Sequence, residues 1–150
     1  MKNLILTFIS FFMLLSCNNN DDSFTPQNIT PILVGKGELT TPFNNVSNNQ
    51  NIVIQNQTDW DIFLQILSVS GNLSTILLES NINFNSYDII AIIDIVRPTG
   101  GNTIDITNII ENLNNVTVTI SWLNEGDATI VTQPIHIVKI PKTNKPIIFQ

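Results

Sequence analysis

The sequence has one cysteine, one histidine and only six lysines and arginines, against twelve aspartates and glutamates. Each shortage excludes something. One cysteine allows no disulfide within the chain and no multi-cysteine metal site. One histidine, His136, rules out a histidine cluster around a metal. A formal net charge of −6 repels nucleic acid and gains nothing from anionic headgroups. Aromatic residues are few, and outside the first sixteen positions they come to five Phe, two Trp and one Tyr. A wide aromatic-lined cleft is therefore not expected. The apolar run over residues 4–15 is too short to span a bilayer.

That run is nevertheless informative. It follows Met1-Lys2 and ends at Leu14-Leu15-Ser16-Cys17. A positive start, an apolar stretch and a small residue before the sole cysteine resemble a bacterial lipoprotein signal peptide. This implies cleavage before Cys17, lipidation of its thiol and acylation of the new amine. The domain plan is then a signal peptide over 1–16, a flexible tether over 17–31 and a folded domain over 32–150. Loss of Lys2 takes the net charge to −7, so the lipid alone must supply membrane attachment. The expected location is the cell envelope, at the outer membrane. Asp21-Asp22, close behind Cys17, resembles an acidic surface-export signal of lipoproteins and reads equally well as a solvated spacer.

The segment from Tyr87 is apolar at both parities: Ile89, Ala91, Ile93 and Ile95 point one way, Ile90 and Ile92 the other. Such a strand is central and covered on both faces. With the β-branched run over 103–111 and the Pro98-Thr99-Gly100-Gly101 turn between them, it reads as a β-hairpin. Residues 58–67 predict a helix capped by Thr58, with Trp60, Phe63, Leu64 and Leu67 as its core-facing stripe. Short strands are expected at 32–34, ended by Gly35-Lys36-Gly37, and at 51–55. Val116, Val118, Ile120 and Trp122 alternate with polar residues as a one-faced strand. Further strands are expected at 128–131, 135–140 and 146–149, with Pro134 at an edge, bulge or strand start. The fold class is mainly β (α+β): an antiparallel sheet or barrel-like domain of about seven strands with one packed helix.

Four stretches then resemble a known family: Thr58-Asp59-Trp60, Ile82-Asn83-Phe84-Asn85-Ser86, Arg97-Pro98-Thr99-Gly100-Gly101, and residues 132–141, which read Thr-Gln-Pro-Ile-His-Ile-Val-Lys-Ile-Pro. In order and spacing they are similar to the PrcB C-terminal domain family, over about residues 50–142. The resemblance implies a non-catalytic accessory that stabilises a secreted or surface protease complex, with no cofactor. Two positions depart from the family pattern: Asn102 and Ile135 stand where it carries aromatics.

No catalytic constellation is evident. Residues 97–101 read as a rigid turn, or as a loop presenting Arg97 to a partner. Arg97, Pro98, Thr99, Gly100, Gly101, Gln133 and His136 are the candidate partner-binding residues, and Cys17 is the lipidation site. His136 reads as a hydrogen-bonding or ligand residue, or as a half-buried strand histidine. In the hairpin register Asp94 faces Asp105, a repulsive pair that Arg97, Lys139 or a calcium ion would have to relieve. The second function class is a surface lipoprotein that binds a small molecule or glycan.

Overall fold

A computed structural model describes residues 24–71 and 73–150. It contains eight strands in two sheets. In chain order the elements are β1 (Gln27–Asn28), β2 (Ile32–Leu39), β3 (Gln50–Ile54), α1 (Gln57–Ser70), α2 (Leu73–Ile76), β4 (Tyr87–Ile93), β5 (Thr103–Glu111), β6 (Val116–Asn124), β7 (Gln133–Pro141) and β8 (Ile147–Phe149). One sheet has the order β1-β5-β6-β8 and the other β2-β7-β4-β3. All pairings are antiparallel except β6 with β8. The sheets stack face to face as a sandwich rather than closing into a barrel, and α1 covers the outer face of the second sheet.

The two-faced apolar run explains this layering. Ile89, Ala91 and Ile93 of β4 join Trp60, Phe63 and Leu67 of α1 in one core. Ile90 and Ile92 point the other way, to Ile104, Ile106, Val116 and Val118 of the first sheet. β4 is thus central, with β3 and β7 beside it and apolar layers above and below. Burial on both faces is why its apolar residues do not alternate with polar ones.

The hairpin is not formed. β4 and β5 lie in different sheets, so residues 94–102 cross from one layer to the other. A turn signal between two apolar runs does not say whether they pair edge to edge or face each other across a core. Here both runs carry apolar residues toward the shared interior, and facing packing wins. Asp94 and Asp105 are therefore not cross-strand neighbours, and no carboxylate pair exists there to hold a cation.

Other boundaries also shift. α1 starts one residue early, capped by Asn56, whose side chain accepts the Asp59 N–H at 2.9 Å. β2 runs straight through Gly35-Lys36-Gly37 after a bulge between Leu33 and Gly35. A Cβ on Gly35 would meet the Ile76 carbonyl oxygen at 2.8 Å, so this glycine lets the α2 segment ride against the strand rather than ending it. Residues 128–131 form no strand. Only isolated bridges appear there, Ala128 with Gly100 and Thr132 with Arg97. Pro134 is second in β7, consistent with a strand start. Gln27 and Asn28, within the stretch read as tether, pair with Glu111 and Ile110 of β5. Among the described residues no helix is long and apolar enough to cross a membrane. Cys17 and the signal peptide lie outside the described residues.

Candidate functional site

Candidate residues 97–101 lie on the crossing between sheets, at one end of the sandwich. Two carboxylates hold this crossing in place. Glu38 on β2 accepts the Gly101 N–H at 2.8 Å and the Asn102 N–H at 3.0 Å, and the Thr132 hydroxyl lies 2.7 Å from it. Gly101 has φ of +88°, which turns successive amides toward one point. Asp94 pairs with the Arg97 Nε at 2.9 Å, and this pair is largely buried. The backbone adds a second brace: Arg97 and Thr132 exchange hydrogen bonds of 2.7 and 3.1 Å, and Gly100 and Ala128 exchange bonds of 2.9 and 3.2 Å.

Asn102 works inside this loop. Its Nδ2 donates to the Thr99 carbonyl at 2.5 Å and its Oδ1 accepts the Gly126 N–H at 3.1 Å. It fastens the crossing to the 124–127 turn. Ile135 is buried in the helix-side core.

The Arg97 guanidinium carbon sits 3.1 Å from the ring centroid of Trp122. Arg97 Nη2 is buried with no hydrogen-bond partner. Trp122 was expected at the end of β6's buried face, yet it is 53% exposed. The alternation holds for Val116 and Val118, then continues past the reach of the opposing sheet. Ile130 and Val131, also half-exposed, lie on the segment bridged to 97–100.

The other two candidates are structural in their contacts. Gln133 is 1% exposed. Its Oε1 accepts the Phe43 N–H at 2.8 Å and its Nε2 donates to the Asp94 carbonyl at 2.8 Å, tying a loop and the crossing to β7. His136 is buried and faces the first sheet. Its Nδ1 lies 2.6 Å from Asp105 Oδ1, and Lys36 Nζ reaches the same oxygen at 2.9 Å. Lys36 on β2, His136 on β7 and Asp105 on β5 rivet the two sheets together. A cavity of about 260 Å³ lies alongside, lined by Lys36, Glu38, Asn102 and Thr103 among others.

Nδ1 of His136 also lies 3.1 Å from the Ile106 N–H, beside a bulge in β5. One tautomer cannot serve both neighbours. A proton on Nδ1 serves Asp105, whereas a proton on Nε2 serves Ile106 and sets a lone pair against the carboxylate. The shorter, charge-assisted contact takes the proton. Burial lowers the imidazole's pKa from the ordinary 6.5; Asp105 opposes this and Lys36 reinforces it. The unfolded chain therefore takes up more protons as pH falls through 6.5. Stability should be full above that pH and decline below it, until the folded ring titrates too. Urea midpoints measured from pH 8 to pH 5 should show this decline, and His136→Asn, which keeps a donor near the Nδ1 position, should flatten it. Equal slopes for the two proteins would contradict the assignment.

The polar partners of His136 among the described residues are a carboxylate and a backbone amide. Among the described residues no group of His, Cys, Asp and Glu is arranged to hold a metal ion. What the crossing offers is a braced loop, an arginine stacked on an exposed tryptophan and a few exposed aliphatic side chains. Glu38, Asn102, Thr132 and Trp122 are absent from the sequence-derived candidates. Of these only Trp122 had a usable signal, its place at the end of an alternating strand whose cover depends on the opposing sheet.

No protein-family model, curated protein or solved structure matches this chain at a significant level.

Proposed function

We propose that this protein is a non-catalytic lipoprotein of the cell envelope, anchored through Cys17, whose folded domain binds another envelope protein. On the resemblance to the PrcB C-terminal domain family, that partner is a secreted or surface protease. The observation that carries the reading is Trp122, half-exposed beneath Arg97 on a crossing held by Glu38 and Asp94. Tryptophan and arginine are the side chains most often found at the energetic centre of protein interfaces. A loop already fixed before binding loses little entropy on contact.

The test is an affinity pull-down of the tagged, lipidated protein from its own envelope, read by mass spectrometry. Trp122→Ala is the cleaner variant. Arg97→Ala also leaves Asp94, 6% exposed at its side chain, without its cation. One envelope protein should be enriched with the wild type, and its recovery should drop about tenfold with Trp122→Ala. Equal recovery by a well-folded Trp122→Ala would remove this end of the domain from the contact. Enrichment of a protease would extend the family's role to this chain.

A further inference from the structure

A sandwich of two open sheets has four edge strands, and an unprotected edge is a template for another strand. Three of the four are guarded. β1 has two residues and β8 has three, directly after Pro146. β2 is bulged, carries Lys36 and Glu38, and is crossed on its outer side by residues 77–79, with the Leu78 N–H donating to the Val34 carbonyl at 2.8 Å. β3 is different. It reads Gln50-Asn51-Ile52-Val53-Ile54, without charge, proline or bulge, and pairs in unbroken register with β4 on one side only.

A groove runs between β3 and α1. It encloses about 290 Å³ and is lined by Phe43, Ile52, Ile62, Phe63, Ile66 and Asp59 among others. Ile62 is 51% exposed on a helix whose opposite side is buried. The charge at the groove is one-signed. Among the described residues, the carboxylates of Asp59 and Asp61, in and beside the first turn of α1, are bonded to the neutral side chains of Asn56 and Gln57. Each of the five described cations is paired with a carboxylate, Lys36 with Asp105, Arg97 with Asp94, Lys139 with Glu79, Lys142 with Asp88 and Lys145 with Glu111, and of these Lys142 also donates to the Gln55 carbonyl just past β3 at 3.1 Å.

We propose that the free edge of β3 takes up an extended segment of a partner protein as an added strand. Its alternate apolar side chains enter the groove against α1, and a basic end meets Asp59 and Asp61. Main-chain hydrogen bonds supply affinity, while the groove and the carboxylates select the sequence. This surface does not include Trp122, and the inference stands whether or not residues 97–101 meet a partner.

The test uses the full chain and a fluorescein-labelled decapeptide of alternating valine and threonine that ends in two lysines. One control peptide ends in two glutamates. Another is the lysine peptide with alternate backbone nitrogens methylated, which cannot complete a ladder. By fluorescence anisotropy the lysine peptide should bind about tenfold tighter than its glutamate twin, and methylation should abolish binding. Ile62→Glu, on the exposed side of α1, should weaken binding about tenfold without unfolding the protein. Asp59→Asn with Asp61→Asn should erase the preference for lysine. Failure of the lysine peptide to bind up to its solubility limit would overturn the proposal. So would binding indifferent to Ile62→Glu and to methylation. A dimer in sedimentation that both Ile62→Glu and Val53→Lys dissociate would also overturn it, and would assign the edge to a second copy of this chain.

Discussion

Trp60→Ala is expected to lower the unfolding free energy by about 4 kcal/mol, the range for removing a fully buried aromatic side chain. Trp60 is 0% exposed. Its ring stacks on Phe63 with centroids 5.5 Å apart and planes 14° apart, and Phe63 in turn meets Phe43 at 5.2 Å. Its indole N–H donates to the Ser80 carbonyl at 2.8 Å, so truncation removes that carbonyl's donor as well as opening a cavity. Trp60→Phe should recover most of the packing and lose the hydrogen bond, giving a smaller deficit in urea denaturation. The chain has two tryptophans, so Trp60→Ala leaves Trp122 as a single fluorescent reporter at the far side of the sandwich. Its native emission should persist below the shifted midpoint if the damage stays under α1. A Trp60→Ala protein as stable as wild type would mean that α1 contributes little to holding the sheet beneath it.

The helix stripe was legible because packing of α1 is a local pattern. Trp60, Phe63 and Leu67 recur at helical spacing, and all three are core. The same holds for β4, whose double-sided apolar run declared a covered strand, and for the first half of β6. What could not be read was which strand pairs with which. The 97–101 turn carries strong hairpin chemistry, yet its glycines serve a crossing. Gly101 turns amides onto Glu38, and Gly100 leaves room for Ile130. The partner that decides this, Glu38, is more than sixty residues away in sequence, and nothing in its neighbourhood marks it. Asp105 presents the same problem. Read locally it faced Asp94; in the fold it faces His136 and Lys36 from the opposite sheet. Trp122 is the converse case. The alternation was read correctly, but exposure depends on where the covering layer stops, and no periodicity records that.

Glu38→Ala is expected to cost about 3 kcal/mol and, more usefully, to separate the shape of the loop from its surface. The substitution leaves the Gly101 and Asn102 amides and the Thr132 hydroxyl without their common acceptor, and bonds to a charged group exceed neutral ones in strength. The three bonds share one carboxylate, so their losses do not add independently. The remaining ties are the backbone bonds of Arg97 with Thr132 and Gly100 with Ala128 and the Asn102 side-chain bonds to Thr99 and Gly126, which tether the crossing but leave the Gly101 N–H without its acceptor. Amide hydrogen exchange should therefore rise at Gly101 and Asn102 and spread to the 126–132 segment, while β4 and β7 stay protected. If the proposed contact depends on a pre-formed loop, Glu38→Ala should weaken partner recovery nearly as much as Trp122→Ala, although Arg97 and Trp122 themselves are unchanged. Glu38→Gln, which keeps one acceptor oxygen for the two amides, should fall between. Unchanged exchange at Gly101 would refute the bracing role of Glu38. Faster exchange with full partner recovery would show instead that binding reads the Trp122 surface and tolerates a loose loop above it.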